Sequence, residues 1–337
     1  MRASIRAFVL STLLCLTPGI AQADQVSPPD RCQEITFPVP QGTLAGKLCQ
    51  PTDRPADAVM VLMAGSNYNG SYWDFQYEPA TYNFRRAMNG AGYATLIVDR
   101  LGNGASTRPP SATLTATATA EALHLIVQQL RQGLPGAKPF GKIITGGHSL
   151  SSGTSVMEAT KYHDVDGVLL TGYSHTLYVP GVLGVIGTYY PAAQDPAFAG
   201  RGYDPGYLVS RPGSRAADFY GPDNFDPKVV AADEATKETF SLTEYPDGLM
   251  STLPGMSSLI TAPTMVVNGS KDILSCGPGF SICADSAALQ AAEAPYFGPD
   301  AKLRTFVLPG AGHSVNLAPN TAEYRAAVID WVDSIVR

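Results

Sequence analysis

Residues 146–153 read Gly146-Gly147-His148-Ser149-Leu150-Ser151-Ser152-Gly153, directly after the apolar run from Phe140 to Ile144 and ahead of a helix-forming stretch. A nucleophilic serine at a strand-to-helix turn needs small residues two positions to either side, because larger side chains would collide with the neighbouring strand and helix. Gly147 and Ser151 meet that need around Ser149, which makes Ser149 the candidate nucleophile of an acyl-transfer site. The same octapeptide also permits a frame centred on Ser151, followed by Gly153. Gly147 and the strand end favour Ser149; a serine-rich helix cap is the non-catalytic alternative.

Outward from this turn, strand-like runs occupy 34–39, 43–49, 58–63, 94–98, 142–145, 167–170, 264–267 and 303–308. From the third onward they lack alternation, as expected for strands buried on both faces of a mostly parallel sheet. The first two are close in sequence and suit an antiparallel entry hairpin. Helical patterns lie at 80–91, 117–132, 153–161, 284–294 and 321–336, with Leu123, Ile126, Val127 and Leu130 forming a one-sided stripe in the second. The order predicts an α/β fold: a mostly parallel eight-stranded sheet flanked by helices. Residues 174–260 break the alternation and are rich in Gly, Pro and Tyr, so they read as a cap inserted after strand six. The expected core is then 24–173 with 261–337.

A serine hydroxyl is a weak nucleophile and requires a base, which in turn needs an orienting acid. His313 follows the 303–308 strand in the turn Pro309-Gly310-Ala311-Gly312-His313-Ser314 and is the candidate base. Asp272 follows the 264–267 strand after Asn268-Gly269-Ser270-Lys271 and is the candidate acid; Asp285, its local rival, reads as a helix start. Backbone N–H groups of Leu150 and Ser66 are the candidate oxyanion donors. Tyr68, Tyr72 and Trp73 are candidate pocket walls or core, and His175, at the start of the cap, is a candidate substrate contact.

With Gly65-Ser66 after strand three, the 99–106 segment Asp-Arg-Leu-Gly-Asn-Gly-Ala-Ser after strand four, Ser149, Asp272 and His313, the chain resembles the α/β-hydrolase superfamily over nearly the whole sequence beyond residue 23. The chain order Ser, Asp, His is that of the family. The resemblance implies nucleophile, acid and base at those positions and a cap after strand six. Two departures are Ala64, where many relatives carry His-Gly before the oxyanion residue, and Ser151, where the elbow's second glycine usually stands.

The implied activity is carboxylic ester hydrolysis on a small-molecule ester or lactone, with no cofactor and no metal. The same residues serve a lactonase, an amidase or peptidase, or an acyltransferase, and the fold also serves non-catalytic binding proteins. Serine at the elbow argues against the aspartate-dependent dehalogenase and epoxide-hydrolase chemistries. Gly102-Asn103-Gly104 begins a dinucleotide fingerprint, but Thr107 occupies its third glycine position.

Arg2 and Arg6, the apolar stretch 7–16 and Ala21-Gln22-Ala23 read as a signal peptide over 1–23, placing the protein in the periplasm or outside the cell. The apolar stretch is too short for a stable membrane anchor. Lys and Arg number 23 against 29 acids, a net charge of −6; residues 1–23 hold two of the arginines and no acid, leaving −8. Such a balance disfavours nucleic acid as a partner. Beyond Cys15, the four cysteines are expected to pair as Cys32 with Cys49 and Cys276 with Cys283, and no Cys-x-x-Cys spacing supports zinc.

Overall fold

The computed structural model describes residues 31–337, so the expected signal segment and Cys15 lie outside the described residues. In chain order the strands are β1 (Arg31–Val39), β2 (Gly42–Gln50), β3 (Ala58–Met63), β4 (Ala94–Val98), β5 (Lys142–His148), β6 (Gly167–Thr171), β7 (Tyr189–Pro191), β8 (Tyr207–Ser210), β9 (Phe240–Ser241), β10 (Thr264–Gly269) and β11 (Arg304–Leu308). Eight of them form one sheet in the order β1-β2-β4-β3-β5-β6-β10-β11. β2 pairs antiparallel with β1 and with β4, while the pairs from β4 to β11 are parallel. The α/β-hydrolase fold read from the sequence is the fold observed.

The sheet is covered on both faces, which accounts for the continuous apolar runs. Met60 and Leu62 of β3 pack with Trp73, Phe84, Tyr324 and Trp331, on the side of the C-terminal helix Thr321–Val336. Val59, Val61 and Met63 point the other way, into a cluster with Leu123, Ile126, Val127 and Leu130 of the helix Ala116–Gln132. Burying such side chains on both faces is worth roughly 1.5–3 kcal/mol each and dominates the sheet's stability.

Cys32 and Cys49 stand opposite each other in the β1–β2 register, and Cys276 lies near Cys283; both pairs are at disulfide distance. Two element boundaries depart from the sequence pattern. Pattern reading ends β5 at 145, yet Gly146 and Gly147 remain paired with Leu62 and Met63 on one side and with Leu169 and Leu170 on the other. Glycines carry no apolar side chain, so the pattern misses them. The helix expected over 80–91 is split into Pro79–Tyr82 and Phe84–Gly90 at Asn83, whose side chain caps the second piece by accepting from the Arg86 N–H at 2.9 Å.

Between β6 and β10 the chain builds the small antiparallel sheet β7-β8-β9 and several short helices. Buried polar contacts tie this segment to the loops at the sheet's C-terminal edge. Arg100 pairs with Glu244, and Asn67 accepts from the Ser210 N–H at 2.7 Å through its side chain and from Arg215 Nη1 at 3.1 Å through its carbonyl. Arg215 also forms a two-pronged pair with Asp233, at 2.9 and 2.7 Å. The 102–104 turn takes part as well: Asn103 donates to the Thr239 carbonyl at 2.6 Å, and the Gly104 N–H donates to Glu238 at 2.9 Å. The turn thus helps to hold the β6–β10 segment, and a Cβ at Gly104 is excluded by the Asp99 carboxylate.

Candidate active site

β5 ends at His148 and the next helix, Leu150–Tyr162, begins at Leu150, so Ser149 alone makes the junction. Its backbone sits at φ 53°, ψ −122°, a conformation that L-residues adopt only where the surroundings impose it. The imposing contacts come from β6: the Ser149 N–H donates to the Thr171 carbonyl at 2.8 Å, and Ser152 Oγ donates to the same carbonyl at 3.0 Å. Gly147 is required because a Cβ there would run into the Ser151 and Ser152 backbone. Gly65 is required from the other side, since its Cβ would fall 2.7 Å from the Ser149 Cβ.

The geometry separates the two serine frames. Ser151 is buried inside the helix, and its Oγ donates to the Ala64 carbonyl at 2.6 Å. Ser149 lines the pocket described below; Ser151 does not.

His313 and Asp272 come together from the ends of β11 and β10. Turn hydrogen bonds from the Ser270 N–H to the Leu308 carbonyl, 3.0 Å, and from the Lys271 N–H to the Ala311 carbonyl, 2.8 Å, lock the two loops to each other. The result is a buried contact of 2.8 Å between His313 Nδ1 and Asp272 Oδ2. Asp272 Oδ1 accepts from the Leu274 N–H at 2.9 Å, so both carboxylate oxygens are held. His313 Nε2 is buried without a hydrogen-bond partner, and His313 lines the same pocket as Ser149. The ring rests on Gly172, where φ is 57° and a Cβ would lie 2.9 Å from His313 Cε1.

His148 lies behind this pair, its ring centroid 4.8 Å from that of His313 and 4.2 Å from that of Tyr72 in a stack. Burial, and secondarily the neighbouring His313, hold its pKa well below the usual histidine range, so it is a neutral packing group.

The pocket is a cavity of about 130 Å³. Its floor holds Ser149, His313, Ser66 and Leu150, and its walls combine aliphatic and aromatic side chains of the β6–β10 segment, among them Val182, Val185 and Ile186 from the helix Val179–Gly187 and Tyr189, Phe219 and Tyr245. Leu150 is the first residue of its helix, so its N–H has no intrahelical acceptor. Ser66 follows β3, and its Oγ lies 2.8 Å from the Tyr245 hydroxyl, with the Tyr189 hydroxyl 3.5 Å further on. Desolvation keeps both phenols above the ordinary tyrosine pKa, so they are neutral hydroxyls.

Four residues expected at the substrate lie elsewhere. Tyr68, Tyr72 and Trp73 belong to the packed core: Tyr68 bonds Ser314 at 2.6 Å, Tyr72 stacks on His148, and Trp73 packs edge-on against Phe84. All three share one buried cluster with Phe84 and with Tyr324 and Trp331 of the final helix, a grouping no local pattern announces. His175 is also withdrawn, with Nδ1 2.6 Å from Glu293 and Nε2 2.9 Å from Ser257 Oγ, in a buried polar knot outside the pocket. The aliphatic walls went unrecognised in the sequence. Their signal is the run Val179-Pro-Gly-Val-Leu-Gly-Val-Ile186, apolar on every face yet with Val179 and Leu183 exposed.

The sequence profile of the alpha/beta hydrolase family matches residues 60–327, and the chain belongs to that family. Solved structures carry the same fold at low sequence identity. A monoglyceride lipase from Saccharomyces cerevisiae, solved with a substrate analogue, is 13% identical with a TM-score of 0.62, covering 90% of this chain and 95% of the other. A thermostable carboxyl esterase from Bacillus coagulans is 16% identical with a TM-score of 0.59, covering 91% and 99%. An enol-lactonase from Burkholderia xenovorans is 18% identical with a TM-score of 0.55, covering 89% and 100%. No curated protein sequence matches the chain.

Proposed function

We propose that the protein is a serine hydrolase that cleaves a carboxylic ester of a small molecule through an acyl-enzyme. The observation that carries this reading is the buried His313–Asp272 pair, whose unpartnered Nε2 shares a pocket with Ser149 at its strained turn. Asp272 fixes the tautomer of His313 with the proton on Nδ1, which leaves Nε2 as acceptor for the Ser149 hydroxyl proton. Ser149 Oγ then attacks the ester carbonyl, and the oxyanion is received by the N–H groups of Leu150 and Ser66. His313 returns the proton to the leaving alcohol, and water, activated by the same imidazole, releases the acid. The aliphatic walls suit an apolar acyl chain.

Export through a signal peptide cleaved before Asp24 belongs to the same proposal, supported by the 1–23 pattern and by two cysteine pairs at disulfide distance, which persist in oxidising compartments. Amino-terminal sequencing of the exported protein tests it, with Asp24 the expected first residue.

A fluorophosphonate label followed by peptide mapping tests the chemistry, with turnover of p-nitrophenyl esters of graded chain length alongside. A single adduct on Ser149 and measurable ester turnover are expected. Absence of both from folded protein would sink the enzyme reading, and turnover confined to cyclic esters would replace the ester hydrolase with a lactonase.

A further inference from the structure

On the side of the sheet away from the C-terminal helix, the helix Ala116–Gln132 packs against the helix Leu150–Tyr162. Between them sits Glu158, fully buried, with neither carboxylate oxygen hydrogen bonded. Beside it Asp164 has one oxygen, Oδ1, buried and unpartnered, while Oδ2 lies 2.7 Å from His124 Nδ1 and 2.6 Å from Gln128 Nε2. One donor atom from each of His124, Glu158 and Asp164 falls within 4.8 Å of the others.

Two carboxylates this close, one fully buried and the other 17% exposed, need a shared proton or positive charge beside them. Among the described residues no lysine or arginine supplies it. The nearby Arg131 guanidinium goes to the Asp166 carboxylate and to the backbone carbonyl of Asp164, and Lys161 pairs with Glu121 on the surface. Without an ion, a proton on Glu158 shared with the adjacent Asp164 carboxylate relieves the repulsion. A divalent ion that displaces this proton accepts lone pairs from all three groups.

We propose that His124, Glu158 and Asp164 form a zinc site that clamps the helix Ala116–Gln132 to the helix following Ser149. The imidazole donor selects a transition ion over calcium or magnesium, which take all-oxygen shells. His124 is held in place by stacking on Tyr162, centroids 3.7 Å apart, and Gln128 orients the Asp164 carboxylate as an outer partner. Glu158 stands nine residues along the helix from Ser149, about 13 Å by helical rise, so the ion is structural and takes no part in ester chemistry. It uses none of the four cysteines.

The test uses chelator-stripped full-length protein titrated with Zn²⁺ by calorimetry, with the thermal midpoint recorded before and after. The expected result is one zinc per chain and a midpoint that rises by several degrees, as binding to the folded state alone requires. Glu158→Gln and Asp164→Asn, both close in shape to the originals, are each expected to weaken zinc binding at least about tenfold and to abolish the midpoint shift. Using two variants keeps the test standing if one of them fails to fold. Failure of the stripped wild-type protein to take up zinc overturns the proposal. So does undiminished affinity in either folded variant, which would assign the ion to surface histidines.

Discussion

His313 Nδ1 lies 2.8 Å from Asp272 Oδ2, and both side chains are buried at the joined ends of β11 and β10. In the mechanism we propose, the contact holds one tautomer and stabilises the imidazolium formed when Ser149 gives up its proton. Asp272→Asn keeps the shape but can donate to Nδ1, which favours the wrong tautomer. Its kcat on p-nitrophenyl esters is expected to fall on the order of 10³–10⁴-fold with KM little changed. A loss below tenfold would remove Asp272 from the mechanism.

The two serines of the opening motif separate in the same assay. Ser149→Ala is expected to abolish turnover and labelling. Ser151→Ala loses only the buried hydrogen bond to the Ala64 carbonyl, so activity persists while stability drops by about 1 kcal/mol. Urea midpoints and ester turnover measured on both variants distinguish them, and the reverse pattern would move the nucleophile to Ser151.

Much of this arrangement was visible in the residues because it depends on local chemistry. An apolar run followed by glycine marks a strand end, and Asp272 and His313 each stand just beyond one, ahead of the rival Asp285 at a helix start. The β1–β2 hairpin brings Cys32 opposite Cys49 because two short alternating strands with a tight turn have few registers. What escaped reading depends on long-range placement. Tyr72 and Trp73 sit in a loop, where exposed walls and core residues look alike until Tyr324 and Trp331 of the last helix close over that loop. Part of the pocket wall comes from the helix Val179–Gly187, whose two ends are tied to distant partners, the Tyr178 N–H donating to the Leu274 carbonyl at 2.7 Å and Thr188 Oγ1 donating to Asp218 at 2.9 Å. Gly146 and Gly147 concealed the last turn of β5 for a simpler reason, having no side chain to register as apolar.

His148 gives the fold an acid sensitivity with a definite sign. Unfolded, its imidazole takes up a proton near pH 6.5; folded, burial and the adjacent His313 hold its pKa well below that. The unfolded state therefore binds more protons once the pH drops under about 6.5, and stability falls on further acidification by up to about 1.4 kcal/mol per pH unit. Above that pH the contribution is fully present. Thermal midpoints from pH 7.5 to 5 should decline less steeply in His148→Asn than in the wild-type protein. Parallel slopes would place the acid sensitivity on other groups.

The acyl preference should follow the wall contributed by the helix Val179–Gly187. Val182 lines the cavity and is only partly buried, so a larger side chain at this position can extend into the chamber without displacing the sheet. In a cavity of about 130 Å³ an indole would occupy much of the space open to an acyl chain. Val182→Trp is expected to leave kcat/KM for p-nitrophenyl acetate within about threefold while lowering that for the octanoate by tenfold or more, since each methylene displaced from an apolar pocket is worth about 1–3 kcal/mol. The chain-length profile measured on both proteins reads this directly. Equal losses on acetate and octanoate would mean that the substitution disturbs Ser149 or His313, and an unchanged profile would place the acyl chain along another wall.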